Sequence, residues 1–343
     1  MAFYVPKEDS MSQATTPEPH EQLRRNHWYR TSDVPGVPGP TREIRGYGPH
    51  PPQIRWEGGA KVAINIVVNY EEGSEQAFAM GDGKNDGMYE MPWDAGSQRD
   101  LAIESMYEYG ARAGIWRMFR TFDRHSIPVT IFGAAVALER NPEVAEKINE
   151  RGDEIVGHGY RWIDHFNYTR EEEKELISLA MDSFQRTLGR QPVGWYCREM
   201  SVNTRELLVE DGRFLYDSDY YGDDLPFWTF VGGKSHLVVP YTLVTNDARY
   251  IDGVGFSTGG DFAEQAMRCL DQLLDDGDDA GRMMSIGIHP RITGNPARMS
   301  GLREFIEYAL SKDDAVFMTR EAIARSFADQ VPRPRNPEDR PNY

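Results

Sequence analysis

From Lys61 onward, short apolar runs alternate with longer segments in which apolar residues return at helical spacing. That alternation predicts strands and helices in turn, the pattern of an α/β fold built on a parallel sheet. The runs expected as strands are VAINIVV (62–68), PVTIF (128–132), DEIVG (153–157), VGWY (193–196), RFLYD (213–217), HLVVP (236–240), MSIGI (284–288) and AVFM (315–318). The longest helical pattern, RDLAIESMYEYGARAGIWRMFRTFDRH (99–125), has apolar residues at 101, 115, 118, 119 and 122. Further helices are expected near 142–151, 170–187, 203–211, 261–275, 301–311 and 320–329. Asn141 and Thr169 stand where helix caps are wanted, followed by Pro142 and by an acidic first turn. Residues 1–58 follow neither pattern: TTPEPH, DVPGVPGP and GYGPHPPQ are polar and proline-rich, and bury little by themselves. The expected organisation is an N-terminal arm (1–58), one catalytic barrel (59–331) and a polar tail (332–343).

The apolar runs end in chemistry. NYEEGSE follows the first, HGYRWIDH the third, CRE the fourth, DSDYYGDD the fifth and HPR the run at 284–288. In a barrel of parallel strands, side chains at the C-terminal strand ends converge on one face, where active sites are built. One polar strand end is chance; five in series point to a barrel enzyme.

Glu71 and Glu72 offer a general base, or a base beside an orienting acid. Adjacent strand residues point opposite ways, so both reach one face only if the chain turns, which Gly73 permits. The alternative is a solvated pair of acids at a strand end. His289 and His158 each close an apolar run, and a histidine there suits an acid for a leaving nitrogen or oxygen, though a satisfied core histidine reads alike. His20, His27, His50, His125 and His236 lack that context and are expected to be surface or structural. Arg198 and Arg291 suit a fork on a carbonyl or carboxylate, or pairs with Asp217, Asp219, Asp223 and Asp224. Tyr70, Trp162, Tyr196 and Trp228 could wall a small flat pocket or belong to the core.

The bulk numbers remove partners rather than add them. Lys and Arg total 38 against 55 Asp and Glu, a net charge of -17, which disfavours nucleic acid and anionic membrane. Cys197 and Cys269 are the only cysteines, so neither a disulfide framework nor a thiolate zinc cluster is expected. The first thirty residues lack an apolar core of signal-peptide length, no later stretch approaches the length of a membrane span, and a soluble cytoplasmic protein is expected.

In their order these motifs resemble the polysaccharide deacetylases, carbohydrate esterase family four, across roughly residues 60–330. That resemblance implies the NodB-type distorted (β/α) barrel. The family's Thr-Phe-Asp-Asp-Gly is matched by Asn69-Tyr70-Glu71-Glu72-Gly73, and its pair of histidines four apart by His158 with Trp162 at the second position. Its arginine lies near Arg198, its fourth motif near Asp217–Asp219, and its strand-end histidine is His289. In the family the first acid is the base, while the second joins both histidines on a metal. Here Glu72 and His158 remain, short of the three protein ligands of a catalytic zinc. A zinc ion on Glu72 and His158 is the fallback, with His165 completing it only if the loop folds back.

NYEEGSE, YEYGARAGIWR, HGYRWIDH, PVGWY, FLYDSD, DDLPFW, VPYTLVTND and IGIHPRITGNPARM are similar to a particular branch, the metal-independent allantoinases with related cyclic imide hydrolases. That branch carries an arginine one position after Arg198, where Glu199 stands, a departure that touches the substrate more than the reaction class. The resemblance implies a cofactor-free hydrolase opening a cyclic ureide or imide. Glu71 or Glu72 would activate water, His289 protonate the leaving nitrogen, and His158 polarise the carbonyl or hold the base. Trp162 and Tyr196 would sandwich the ring, Arg198 read a carbonyl, and Asp219, Asp224 and Arg291 support the site. A metal-dependent sugar or peptidoglycan deacetylase is the rival, and a catalytically silent scaffold the third reading. The arm suggests a homo-oligomer, by resemblance a tetramer.

Overall fold

Val62–Tyr70 is buried at every position, as a strand covered on both faces must be. In the computed structural model, which describes residues 38–40, 42–88, 91, 95–250, 255–278 and 280–336, it is β1 of a nine-stranded sheet, the strand that pairs with three others. The other strands are β2 (Thr130–Gly133), β3 (Glu154–Gly157), β4 (Gly194–Trp195), β5 (Tyr216–Asp217), β6 (Phe227–Val231), β7 (Lys234–Val238), β8 (Arg282–Ile288) and β9 (Ala315–Phe317). Their order is β6-β7-β5-β4-β3-β2-β1-β8, every pair parallel except the β6–β7 hairpin. β9 pairs with the first half of β1, on the edge whose second half holds β2.

The sheet curls into the distorted barrel. Among the described residues no strand closes it, because loop backbone takes the far edge of β8: Met283 N donates to Asp224 O at 2.9 Å and Gly287 N to Thr245 O at 3.1 Å. Inside, Arg320 is fully buried, donating to Ser218 Oγ and Ser285 Oγ (both 2.9 Å), Val239 O (2.7 Å) and Pro240 O. A buried guanidinium persists only when its donors are met.

Nine helices are described: α1 (Leu101–Tyr109), α2 (Ile115–His125), α3 (Ala135–Arg140), α4 (Pro142–Arg151), α5 (Arg170–Leu188), α6 (Thr204–Asp211), α7 (Gly259–Asp276), α8 (Pro296–Leu310) and α9 (Arg320–Gln330). Thr169 and Glu172 form the capping box that starts α5. Asn141 precedes α4 but makes no cap hydrogen bond; its Nδ2 donates to Tyr70 Oη at 3.1 Å instead. The single helix expected over 99–125 is α1 and α2 joined by a π-turn, Gly110–Gly114.

The chain divides into two units, Met1–Gly46 and Tyr47–Tyr343. The described part of the first has no helix or strand. Residues 47–58, expected as arm, belong to the second unit, where Ile54 and Trp56 are buried. Residues 1–37 with His20 and His27, and 337–343 of the expected tail, lie outside the described residues.

Candidate active site

β1 ends at Tyr70, and the chain turns at once. Gly73 adopts φ 88°, and Glu71 O accepts from both Ser74 N (2.9 Å) and Ser74 Oγ (2.7 Å). The turn removes the strand's alternation and brings both carboxylates to the same guanidinium, that of Arg291. Its Nη2 lies 2.7 Å from Glu71 Oε2, as an ion pair without hydrogen-bond geometry, and its Nη1 lies 3.6 Å from Glu72 Oε1.

The two acids differ in surroundings. Glu71 Oε1 faces His158 Nε2 at 2.9 Å and His289 Nε2 at 3.6 Å. Burial opposes its charge, but Arg291, His289 and the His158 hydrogen bond outweigh that and hold the carboxyl well below the ordinary carboxylate range. Glu72 is turned toward backbone: Oε2 accepts from Glu71 N (3.0 Å) and Oε1 from Arg291 N (3.1 Å). Burial dominates there; Arg291 opposes it, Glu71 adds to it, and the carboxyl is raised to about 7.

Both histidines come from strand ends, as their positions implied. His158 follows β3; its Nδ1 meets Tyr196 O at 2.8 Å, and because a carbonyl only accepts, that nitrogen carries a proton. His289 follows β8. Asp247 Oδ1 accepts from its Nδ1 at 2.6 Å, and Oδ2 accepts from its backbone N at 2.8 Å. Burial alone would lower the imidazole's pKa, but Asp247 and then Glu71 overcome it, and with Arg291 opposing, the value is about 9. Asp247 itself is fully buried and also accepts from Thr293 N (3.1 Å) and Thr293 Oγ1 (2.6 Å).

The π-turn explains how a helix comes so near. A Cβ on Gly110 would fall 2.7 Å from Glu72 Cγ and 2.8 Å from Arg291 N, and one on Gly114 would fall 2.8 Å from Pro290 C. Only glycine lets this backbone press on the Glu71–Ser74 turn and the loop after β8, and π-turns inside helices are frequent at functional sites. Tyr107, one turn earlier, lies under Arg291, with the guanidinium 4.5 Å from its ring centre.

Several residues read as site components stand elsewhere. Arg198 is spoken for: Nη1 lies 2.7 Å from Asp86 Oδ1, Nε 3.1 Å from Asp164 Oδ1, and its guanidinium stacks 3.9 Å over Trp162. It ties three loops together, through carboxylates other than the Asp217–Asp224 run, and is not a free fork for a carbonyl. Tyr196 stacks on His158 (5.2 Å, 22°) and packs on Phe132 and Tyr241, so it does not face Trp162 across a ring. Trp162 instead lies against Arg198, Arg291 and Tyr107.

Asp219 accepts from Cys197 N at 3.0 Å and orients no catalytic group. Asp224 is exposed at the opposite end of β8, beside Met283. Trp228 binds Val331 O at 2.9 Å, and Tyr70 is core. His236 is structural as expected, held by Asp217 at 3.0 Å.

The donor set does not fit a zinc ion. Trp162 stands at the second histidine position, His165 gives its Nδ1 to Glu173 at 3.1 Å, and both Glu72 oxygens accept from backbone. The positive charge between the acids is Arg291. Among the described residues no group of three His, Cys, Asp or Glu side chains could hold a metal. No helix among them is long and apolar enough to cross a membrane.

A cavity of about 640 Å³ opens beside Arg291, between the start of α7 and the start of α8. Asp247, the Arg198 clamp and the π-turn glycines were not found from sequence. The one available signal for Asp247 was its place, an acid at the end of VPYTLVTND, in chain order before His289.

Comparison with known proteins agrees with this fold. Residues 95–210 match the family model described as polysaccharide deacetylase. A polysaccharide deacetylase by name from Schizosaccharomyces pombe is 35% identical over 314 residues, 85% of this chain and 98% of that protein. A crystal structure described as a probable polysaccharide deacetylase from Pseudomonas aeruginosa PAO1 is 42% identical, with TM-score 0.81, covering 85% of this chain and 99% of that one. The crystal structure of PuuE allantoinase is also 42% identical, with TM-score 0.82, covering 85% and 98%.

Proposed function

This chain belongs to the polysaccharide deacetylase family and is a hydrolase of non-peptide carbon–nitrogen bonds, and from that premise we propose that it opens a cyclic ureide or imide without a metal. The observation that carries the reading is Glu71 Oε1, set between His158 Nε2 at 2.9 Å and His289 Nε2 at 3.6 Å. One oxygen thus touches both the group that holds it and the acid of the reaction.

Glu71 takes a proton from water as the water oxygen attacks the ring carbonyl carbon. Glu72 is the better base by pKa, but its oxygens are turned to backbone, and geometry comes before pKa. The carbonyl oxygen, as it gains charge, meets Arg291, whose Nε and Nη1 have no hydrogen-bond partner in the protein. When the C–N bond breaks, the electron pair goes to nitrogen and His289 supplies the proton. Glu71 then returns its proton to His289 across their 3.6 Å contact. The product is an open chain with a new carboxylate and a free amide or urea nitrogen.

The substrate class follows from what this site can supply. Zinc brings bound water from pKa 15.7 to about 7, whereas a positioned base contributes roughly 10²–10⁴-fold. A site working through Glu71 therefore suits a carbonyl flanked by electron-withdrawing nitrogen, with a ring nitrogen that leaves as a stabilised anion. The likeness to PuuE allantoinase supports this; the deacetylase names of other relatives support an acetamide substrate.

Assaying chelator-treated protein on allantoin, hydantoin and succinimide, beside N-acetylglucosamine oligomers, separates the two. Ring opening that survives chelation and falls at least ~10²-fold in Glu71→Gln and His289→Ala supports the proposal. Zinc-dependent release of acetate, with no ring opened, overturns it.

A further inference from the structure

In a chain of net charge -17, the cavity beside Arg291 is lined by two arginines, Arg291 and Arg298, and by no acidic side chain among the described residues. Two helices begin there. Gly259 and Gly260 open α7, and Asn295 caps α8. The first N–H groups of a helix have no acceptor inside it and carry its positive partial charge. Asp261, the nearby acid of the α7 capping box, is already committed to Ser257 N (2.9 Å) and Thr258 N (2.7 Å).

Two further facts point to a ligand. Arg291 is 7% exposed, lines this cavity, and has Nε and Nη1 without any hydrogen-bond partner. Buried guanidinium donors are rarely left so. Gly260, in turn, is not required by packing: a Cβ there would meet only Thr258 Oγ1, at 3.5 Å. Gly259 differs, since its Cβ would fall 2.7 Å from Ala297 O where the two helices cross. Gly260 is exposed, and a side chain there would fit the fold, yet none is present.

We infer that this cavity is a carboxylate-binding subsite, and that the substrate is an anionic ring: a cyclic ureide or imide bearing a carboxylate arm. The inference rests on the ring-opening reading above and names the substrate class of that site. The ring carbonyl lies at Arg291, the inner end, and the carboxylate reaches Arg298 and the start of α7. A volume of about 640 Å³ suits a ring with such an extension better than a bare ring.

Two paired measurements test it. Hydantoin and hydantoin-5-acetate are compared as substrates, and glutarate with glutaramide as ligands by calorimetry. We expect kcat/KM to favour the acid by roughly 10–100-fold, the worth of one or two charge-assisted hydrogen bonds, and glutarate to bind where glutaramide does not. Gly260→Glu should erase both preferences, while Gly260→Gln, of the same size, should retain them in part; Arg298→Gln should weaken both.

Equal turnover of the two rings overturns the subsite and leaves ring opening standing. Selective, Gly260→Glu-sensitive binding of glutarate with neither ring opened does the reverse. Indifference between glutarate and glutaramide overturns the subsite whatever the rings do.

Discussion

Replacing Asp247 by Asn should convert His289 from an acid held protonated into a neutral imidazole. The carboxylate now accepts four hydrogen bonds, from Nδ1 and the backbone N of His289 and from N and Oγ1 of Thr293. An amide oxygen placed toward the three donors at Oδ2 leaves its NH₂ against His289 Nδ1, which must then give up its proton to accept. The pairing that lifts His289 from 6.5 to about 9 is lost. At ~1.4 kcal/mol per pH unit that lift corresponds to about 3 kcal/mol of preference for imidazolium in the folded protein.

Two readouts follow. For wild type, kcat/KM should fall on the alkaline side near pH 9, where His289 loses its proton, and hold down to the acid range because Glu71 stays ionised. In the variant the alkaline limb should drop below pH 7, with the plateau lowered roughly 10²-fold or more. Stability gives an independent check. Because the folded pKa is raised above the unfolded one, the His289 contribution is complete below about 6.5 and disappears as pH rises through about 9. Wild-type Tm should decline across that window, and the variant's should not. An alkaline limb that stays near pH 9 in the variant would falsify the assignment of both Asp247 and His289.

Gly110→Ala should place a methyl on Glu72 and Arg291 N, costing about 1–3 kcal/mol as overpacking, with a larger loss of activity than of Tm. Activity unchanged at lowered Tm would deny the π-turn any part in seating the acids. Trp162→His restores the family's histidine spacing, yet Arg291 keeps the charge between the acids. Calorimetric titration should therefore show no tight zinc site, and stoichiometric binding with new deacetylase activity would contradict the fit argued from the donors.

The sequence showed most of the barrel because its strands are apolar runs of decisive length, and strand ends are where parallel sheets keep their chemistry. It missed β6, although FWTFV followed by Gly232-Gly233 is a hairpin signal, the two glycines having φ 56° and 78°. The candidate site residues Glu71, Glu72, His158 and His289 were legible since each lies within two positions of a strand's C-terminal end. Their partners were not. Asp247 sits on a 3₁₀ turn with no periodic pattern around it, and Asp86 reaches Arg198 from 112 positions away. Asp219 and Asp224 misled because the density of acids in DSDYYGDD looked like a site. In fact Arg205 holds Asp217, Asp219 serves Cys197, and Asp224 lies at the wrong end of the sheet.

Arg291 changes what the barrel mouth can do. A zinc ion would bind water and acidify it; a guanidinium cannot, for it has donors only and no site for a water oxygen to share charge with. What it can do is keep Glu71 ionised and oppose negative charge on a carbonyl oxygen. Both effects depend on the burial that also raises Glu72 to about 7, so that near neutrality the site carries less negative charge than its three acids, Glu71, Glu72 and Asp247, would suggest. Against them stand Arg291 and the imidazolium of His289, and the balance leaves the mouth close to neutral once Glu72 holds a proton. A near-neutral mouth tolerates the oxyanion of an attacked carbonyl better than a site crowded with carboxylates. On the proposed ring-opening reading, the activation that a metal would supply must then come from the substrate, and the electrophilicity of the ring, rather than the strength of the base, would set the range of bonds cleaved.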